Sequence, residues 1–225
     1  MIKIFRNIVG GVCLAAMASC GGSQDGATSN SGATTGEYAN STIETIMQRR
    51  SIRKYKPQTV SRDTLQLIAE CGINAPNAMN RQSWEVRIVD NPDTMAKIKD
   101  LMAKGKEGED AERAKGCFRD APVMTFIARD RESDFAAYDC ALLAENMMIA
   151  AQSLGVGSIC LGSPVSIINS AENSEEILQI LGFSPEYKLC LCVGLGYADE
   201  APEARERDAQ KVKFVDLYAE VIFLK

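Results

Sequence analysis

Arg49-Arg50-Ser51-Ile52-Arg53-Lys54-Tyr55 places four cations and a serine hydroxyl within seven residues, in a chain of 25 Lys+Arg against 30 Asp+Glu and net charge −5. Extended backbone from Ser51 onward puts Ser51, Arg53 and Tyr55 on one face and Ile52 and Lys54 on the other. Guanidinium groups beside a short hydroxyl suit a phosphate, which takes planar bidentate donors and one neutral donor. A second basic pair, Arg205 and Arg207, has the same two-residue spacing, so both side chains point one way on extended chain. A plainer reading competes: cations on a solvated surface, some of them favoured by the C-terminal dipole of a preceding helix. Spacing alone does not separate the two.

Working outward, the next unusual stretch is Ala75-Pro-Asn-Ala-Met-Asn-Arg-Gln-Ser-Trp84, with three side-chain amides and the single Trp of the chain. Amides carry donors and acceptors together, which matches the mixed edge of a heteroaromatic ring. The plainer reading is a Pro/Asn turn that delivers Trp84 to the core.

The composition bounds what such groups could do. The chain has 225 residues, 46% of them hydrophobic and 24% charged, enough to bury a core. The acidic balance argues against a nucleic-acid binder that works by overall basic charge. There is no His in the sequence. Ser-His-Asp and Cys-His catalysis, His-ligated metal and an imidazole general base are therefore excluded. Chemistry must come from carboxylates, cations, thiols, hydroxyls or a borrowed cofactor.

Residues 1–19 read as an export signal, with Lys3 and Arg6 ahead of the apolar run Ile8–Ala18. That run is too short to span a bilayer as a helix. The following Leu14-Ala-Ala-Met-Ala-Ser-Cys20-Gly-Gly resembles a bacterial lipobox, in which Cys20 becomes the lipidated first residue. Cleavage after Ala16-Met17-Ala18 is the alternative. Residues 20–40 are rich in Gly, Ser, Thr and Ala and predict a flexible tether. The expected location is outside the cytoplasm, on a bacterial membrane, facing the periplasm or the surface.

Residues 41–225 read as one domain. Ser41-Thr-Ile-Glu44 predicts a capping box opening a helix through Arg49. Ser61 caps a second helix with Leu65, Ile68 and Ala69 inward. Residues 85–90 alternate as a strand, and Asn91-Pro92 opens a helix carrying Met95, Ile98 and Met102. The charged, glycine-bearing stretch 104–116 reads as a mobile loop. A buried strand follows over 123–128, and the longest helix runs from Phe135 to Leu154, stopped by Gly155. Strands at 159–161 and 189–193 enclose a helix at 174–181. No G-x-G-x-x-G or P-loop follows a strand.

In this order, the motifs resemble the FMN-dependent nitroreductase family. Arg49–Arg53 matches its R-[RH]-S-x-[RK] element. Pro76–Trp84 matches a P-S-x-x-N-x-Q-P-W-like segment, with Asn77 for Ser and Ser83 for Pro. Leu154-Gly155 and Gly157–Ser163 match a long helix ending in L-G and a G-S-strand-G turn. Gly196-Tyr197 and Arg205-x-Arg207 match a G-Y segment followed by a basic pair, here with Glu206 between the arginines.

The resemblance implies an α+β, three-layer α/β/α fold, its central mixed or antiparallel sheet flanked by helices, in an intertwined homodimer with FMN at the interface. It implies that Arg49, Ser51 and Arg207 hold the phosphate, with Arg205 beside it and Arg50 acting mainly through its backbone. It places Arg53 near N1 and O2 of the ring, where a fixed cation favours reduction. Pro76, Asn77, Ala78 and Met79 would line the ring from the partner subunit, with Asn80 and Gln82 reaching its polar groups. Leu161 would border the ring, with backbone amides of Gly162 and Ser163 near N5. The chemistry then sits on the flavin, with no catalytic side chain and no metal. The implied reaction is ping-pong hydride transfer to a nitroaromatic, quinone or similar planar acceptor.

The family's usual donor is NAD(P)H, a cytosolic metabolite that an exported protein would not meet. A dehalogenase-like or flavin-fragmenting enzyme of the same fold, and a flavin-carrying surface protein without turnover, are the competing classes. The six cysteines beyond Cys20 form no C-x-x-C pair. They read mostly as buried apolar side chains. Cys190 and Cys192 are expected on one side of a strand, too splayed for an easy bridge, and a redox role for Cys117 on the loop is the less favoured alternative to burial. Asp139 and Glu145 read as hydrogen-bonded interface residues.

Overall fold

A computed structural model describes residues 40–215 of the chain. Its frame is a four-stranded sheet of β1 (Trp84–Val89), β2 (Val123–Asp130), β3 (Gly157–Leu161) and β4 (Tyr187–Gly196). The order is β1-β2-β4-β3, and every neighbouring pair is antiparallel. Around it lie α1 (Ser41–Gln48), α2 (Arg62–Ile73), α3 (Pro92–Ala103), α4 (Gly108–Gly116), α5 (Ala136–Ser153), α6 (Ser163–Ser170) and α7 (Ser174–Ile180), with α1 set against α5 and α4 against α3.

The pleat of β2 sorts its side chains into two cores. Val123 and Ile127 pack with Leu65 and Ile68 of α2 and with Leu143 and Met147 of α5. Met124, Phe126 and Ala128 pack with Ile98 and Met102 of α3, Ile168 of α6 and Ile177 of α7. A sheet covered on both faces explains why β2 reads as a continuous apolar run rather than an alternating one. The result is the expected three-layer α/β/α arrangement.

Local chemistry sets the helix ends, with some departures from the sequence reading. The first helix is capped by Asn40, whose side chain accepts from the amides of Thr42 and Ile43, and not by Ser41. Asn91 caps α3 and Pro92 opens it, as the sequence predicts. Gly155, at φ 71°, closes α5, and Val156 N–H reaches back to Ala151 O at 2.8 Å.

The stretch 104–116 is not a loop throughout: nine of its residues form α4. Acidic Glu109 and Asp110 in its first turn and basic Arg113 and Lys115 in its last complement the helix dipole. Ala114 is buried against the α3 side, and Lys115 bonds Asp100 at 3.2 Å. The low apolar content of α4 hides this anchoring from a reading of hydrophobic periodicity. Helix α6 was not anticipated either; it starts directly where β3 ends, with Pro164 in its first turn.

The segment 51–56 is stitched between two parts of the frame. Ile52 N–H donates to Ser158 O of β3 at 3.0 Å, and Ser51 bridges Ser158 in parallel sense. On its other side Lys56 N–H donates to Tyr197 O at 2.8 Å and Asp199 N–H to Lys54 O at 2.9 Å. Two glycines make room for it. A Cβ on Gly157 would lie 2.9 Å from Ile52 Cγ1, and one on Gly196 would lie 2.7 Å from Tyr55 Cδ1 and 2.6 Å from Pro122 Cγ. Gly196→Ala is therefore expected to destabilise the protein by about 1–3 kcal/mol, the usual cost of overpacking, read as a lowered urea midpoint with an unchanged slope.

Candidate functional site

Helix α1 ends at Gln48, and the chain turns directly into the stitched segment, so Arg49, Arg50, Ser51 and Arg53 emerge at one place. The antiparallel pairing of 54–56 with 197–199 then carries the chain after β4 back past the same spot. Arg49, Arg50, Ser51, Arg53, Arg205 and Arg207 consequently line a single cleft of about 250 Å³, together with Glu203. The two ends of the domain's basic sequence meet.

The five guanidinium groups are short of counter-charge. Among the described residues, none of them forms an ion pair with a carboxylate. Arg50 donates to Met47 O at 2.7 Å and Arg49 O at 2.9 Å. For this residue the plain reading of a cation at a helix C-terminus is correct. Arg53 donates to Ser51 O, and Arg207 to the carbonyls of Arg205 and Glu206. Bonds of this kind fix the direction of a guanidinium without cancelling its charge. A cleft so built favours a multiply charged oxyanion.

Glu200 holds the geometry together and was not singled out from the sequence. Its carboxylate accepts from the backbone amides of Arg53 and, at 3.2 Å, of Lys54. Nothing in the local pattern distinguishes it from Asp199 or Glu203; only the pairing of Lys54 with Asp199 places it. Beside it, the Tyr55 hydroxyl donates to Ile52 O at 2.8 Å. Burial, followed by the nearby Glu200 charge, holds the Tyr55 phenol well above its ordinary pKa, against a weaker pull from Arg53. Tyr55 thus stays a neutral donor.

The stretch 76–82 forms a separate structure. It is a 3₁₀ turn over Ala78–Asn80 in which Met79 (φ 53°), Asn80 (φ 53°) and Gln82 (φ 51°) are all left-handed. Each such non-glycine residue costs roughly 1–3 kcal/mol, and clusters of them accompany functional loops. Two contacts hold the strain: Asn77 Oδ1 accepts from Gln82 N–H at 2.9 Å, and Asp139 Oδ1 from Ala78 N–H at 3.0 Å. Asp139 is thus hydrogen-bonded within its own chain, from a side chain only 3% exposed. Pro76, Met79, Asn80 and Gln82 are exposed, Asn77 and Ala78 half-buried, and none of these residues lines the arginine cleft. Trp84 is half-buried at the start of β1 and packs against the α2/α5 core.

Leu161, Gly162 and Ser163 make the junction of β3 and α6. Leu161 is buried, Gly162 is the N-cap residue, and a Cβ on Gly162 would meet nothing within 4 Å. The backbone here is open to an approaching group, and first-turn amides have no partner inside the helix. Cys160, exposed on the same strand, has its thiol pKa raised by burial and by Glu145, against the pull of Arg49. Ser51, which lines the arginine cleft, bridges Ser158 of β3, so the strand runs beside the segment that carries the arginines.

The Glu200 contacts lead to a measurable expectation. Glu200→Ala removes charge-assisted hydrogen bonds of about 1.5–3 kcal/mol, so amide exchange at Arg53 and Lys54 is expected to quicken by roughly 10- to 100-fold. Glu200→Gln, which keeps an acceptor, should quicken it less.

Comparison with known proteins matches this arrangement. The sequence model of the Nitroreductase family covers residues 46–197. Among solved structures, a nitroreductase with bound FMN from Desulfitobacterium hafniense is 31% identical with TM-score 0.70, spanning 80% of this chain and 100% of that one. A nitroreductase with bound FMN from Bacteroides fragilis is 29% identical with TM-score 0.68, spanning 79% of this chain and 100% of that one. An NADPH-flavin oxidoreductase of Vibrio harveyi is 26% identical over 174 residues, 75% of this chain and 70% of that protein. With the stitched arginine segment, the three-layer frame and the β3–α6 junction all inside the matched region, the chain belongs to the nitroreductase family.

Proposed function

We propose that the chain is an FMN-dependent oxidoreductase of nitroreductase type, working as a homodimer. The observation that carries this reading is the cleft in which Arg49, Arg50, Arg53, Arg205 and Arg207 converge without a carboxylate partner among the described residues. The donor set fits a phosphate monoester: several guanidinium groups, the Ser51 hydroxyl, and one carboxylate, Glu203, at the margin. At about 250 Å³, the cleft is smaller than the roughly 300–1,000 Å³ of a complete small-molecule site. It suits the phosphate end of FMN and leaves the ring to be covered from elsewhere.

When bound, FMN accepts a hydride at N5 and delivers it to a second substrate. The chain's own residues bind and orient. Arg49, Ser51 and Arg207 hold the phosphate, and Arg205 adds charge beside it. Arg50 secures the end of α1. Arg53 would supply a cation to the N1/O2 edge of the ring, and the open backbone at Gly162 and Ser163, beyond Leu161, would approach N5. Residues 76–82 of a second copy cover the ring, which accounts for their rigid, exposed and strained form apart from the cleft. A second copy also accounts for apolar side chains left exposed beside the arginine cleft and beside the loop: Ile43, Ile46 and Met47 on α1, and Phe135, Tyr138 and Leu142 on and next to α5, which holds the loop.

The absence of His agrees with a reaction carried by the cofactor. A planar nitroaromatic or quinone is the acceptor class, and NADPH, printed in the name of the Vibrio harveyi relative, is the first donor to test. The proposed lipid anchor at Cys20 and the tether over 20–40 lie mostly outside the described residues. Among the described residues no helix is long and apolar enough to cross a membrane. The proposal keeps one folded domain over residues 41–225, joined through the tether at 20–40 to a lipidated Cys20, with its donor met on the exported side. A flavin carrier without turnover is the second reading, supported by that same placement away from cytosolic NAD(P)H.

Three outcomes are expected. Arg49→Ala combined with Arg207→Ala abolishes retention of FMN, read from flavin absorbance after gel filtration, while the dimer elutes unchanged. Leu142→Asp yields monomer by light scattering and loses flavin with it. Cys20→Ser moves the protein from the membrane fraction to the soluble one.

A further inference from the structure

The pairing of β2 with β4 carries an irregularity at one cysteine. Ile127 pairs with Leu191 and Ala128 with Leu189, so Cys190 is the extra residue of a β-bulge. Regular alternation would put Cys190 and Cys192 on one face, as the sequence alone predicts. The bulge separates them. Cys192 is fully buried in the core under α3 and α6, whereas Cys190, like its neighbour Leu191, packs on the α2/α5 side.

That displacement brings Cys190 to Cys140. Cys140 lies in α5 with no exposed surface, its thiol 3.7 Å from Ala128 O, the carbonyl of the residue paired next to the bulge. Both thiols belong to the packed cluster on the α2/α5 side of the sheet, and Cys190 directly follows Leu189, the pairing partner of Ala128. Cys190 is half-buried and so within reach of a solute, while Cys140 is sealed behind it.

We propose that Cys140 and Cys190 form a reversible dithiol–disulfide pair, oxidised by low-molecular-weight disulfides, which staples α5 to β4.

The surroundings assign the two roles. The neighbouring Cys140 thiol, then Arg129 and Lys188, favour the Cys190 thiolate against the effect of burial. Cys140 is held as a thiol by the neighbouring Cys190, by burial and by Asp139. The other thiols with a resolved shift stay protonated: burial pushes Cys117 up to about 11 and raises Cys192 and Cys160. Cys117 is buried at the end of α4 and does not act as the redox candidate the sequence suggests. In the first step the Cys190 thiolate attacks one sulfur of a small disulfide, forming a mixed disulfide and expelling one thiolate. In the second, Cys140 attacks the Cys190 sulfur, its proton passes to solvent, and the second small thiolate leaves. Two protein thiols are oxidised and one small disulfide is reduced to two thiols.

The bond does not depend on the flavin reading, because neither thiol lies among the proposed FMN-binding residues. The test uses the full chain, reduced, desalted and incubated with glutathione disulfide. It is then alkylated under denaturing conditions and mapped by peptide mass spectrometry. The expected result is one linked peptide pair joining Cys140 to Cys190, with Cys71, Cys117, Cys160 and Cys192 alkylated. Tm should rise on oxidation and return with dithiothreitol. In Cys140→Ala, glutathione should remain on Cys190. Alkylated Cys140 and Cys190 in the treated wild type, or a persistent glutathione adduct on Cys190 there, would overturn the proposal. A formed bond with an unchanged or lowered Tm would overturn its role as a staple. The wild-type map decides the question even if the variant fails to fold.

Discussion

The hydrogen bonds that stitch residues 51–56 between β3 and the chain after β4 are the constraint on which the site depends. They are backbone bonds, and they leave Arg53 and Lys54 exposed while Ile52 is buried. Three arginines come from one side of the stitch and two from the other. Gathering them costs free energy through mutual repulsion, and the fold opposes that cost with the Glu200 carboxylate on two amides and with Ile52 buried behind the segment. Much of the remaining repulsion is relieved when an anion enters the cleft. On the proposed reading, folding energy drawn from the two cores would thereby be converted into affinity for a phosphate.

Strain is handled similarly at residues 76–82. Left-handed Met79, Asn80 and Gln82 would relax in an isolated peptide. The Asn77 side chain and the buried Asp139 carboxylate keep them in place, and Asp139 sits on α5, the helix most deeply embedded in the domain. The loop is therefore a rigid surface and not a flexible one. Its neighbour in α5, Cys140, takes part in the thiol pair. A covalent link there would tie this same part of the helix to the sheet.

Much of this was legible in the sequence, and the reasons differ by residue. The strand at 123–128 and the long helix ending at Gly155 announce themselves through apolar runs and a stop signal, which are local properties. Arg49, Ser51 and Arg207 stand out because cations clustered in an acidic chain need an explanation. Glu200 did not stand out: its importance lies in a pairing between residues far apart along the chain, and no local pattern encodes that register. Helix α4 was missed because charge pairing and dipole complementarity stabilise it more than an apolar stripe. The faces of Cys190 and Cys192 were misassigned because one extra residue in a strand inverts the alternation, and a bulge leaves no mark in composition.

The central claim is that the arginine cleft recognises a phosphate, and one comparison isolates it. Riboflavin carries the same ring and ribityl chain as FMN but lacks the phosphate. Two charge-assisted bonds at about 1.5 kcal/mol each amount to a preference of roughly 100-fold or more. Fluorescence titration of the flavin-free protein should therefore show FMN bound at least roughly 100-fold more tightly than riboflavin, with the difference shrinking as salt is raised. Equal affinity for the two flavins would contradict the account, whatever the colour of the purified protein.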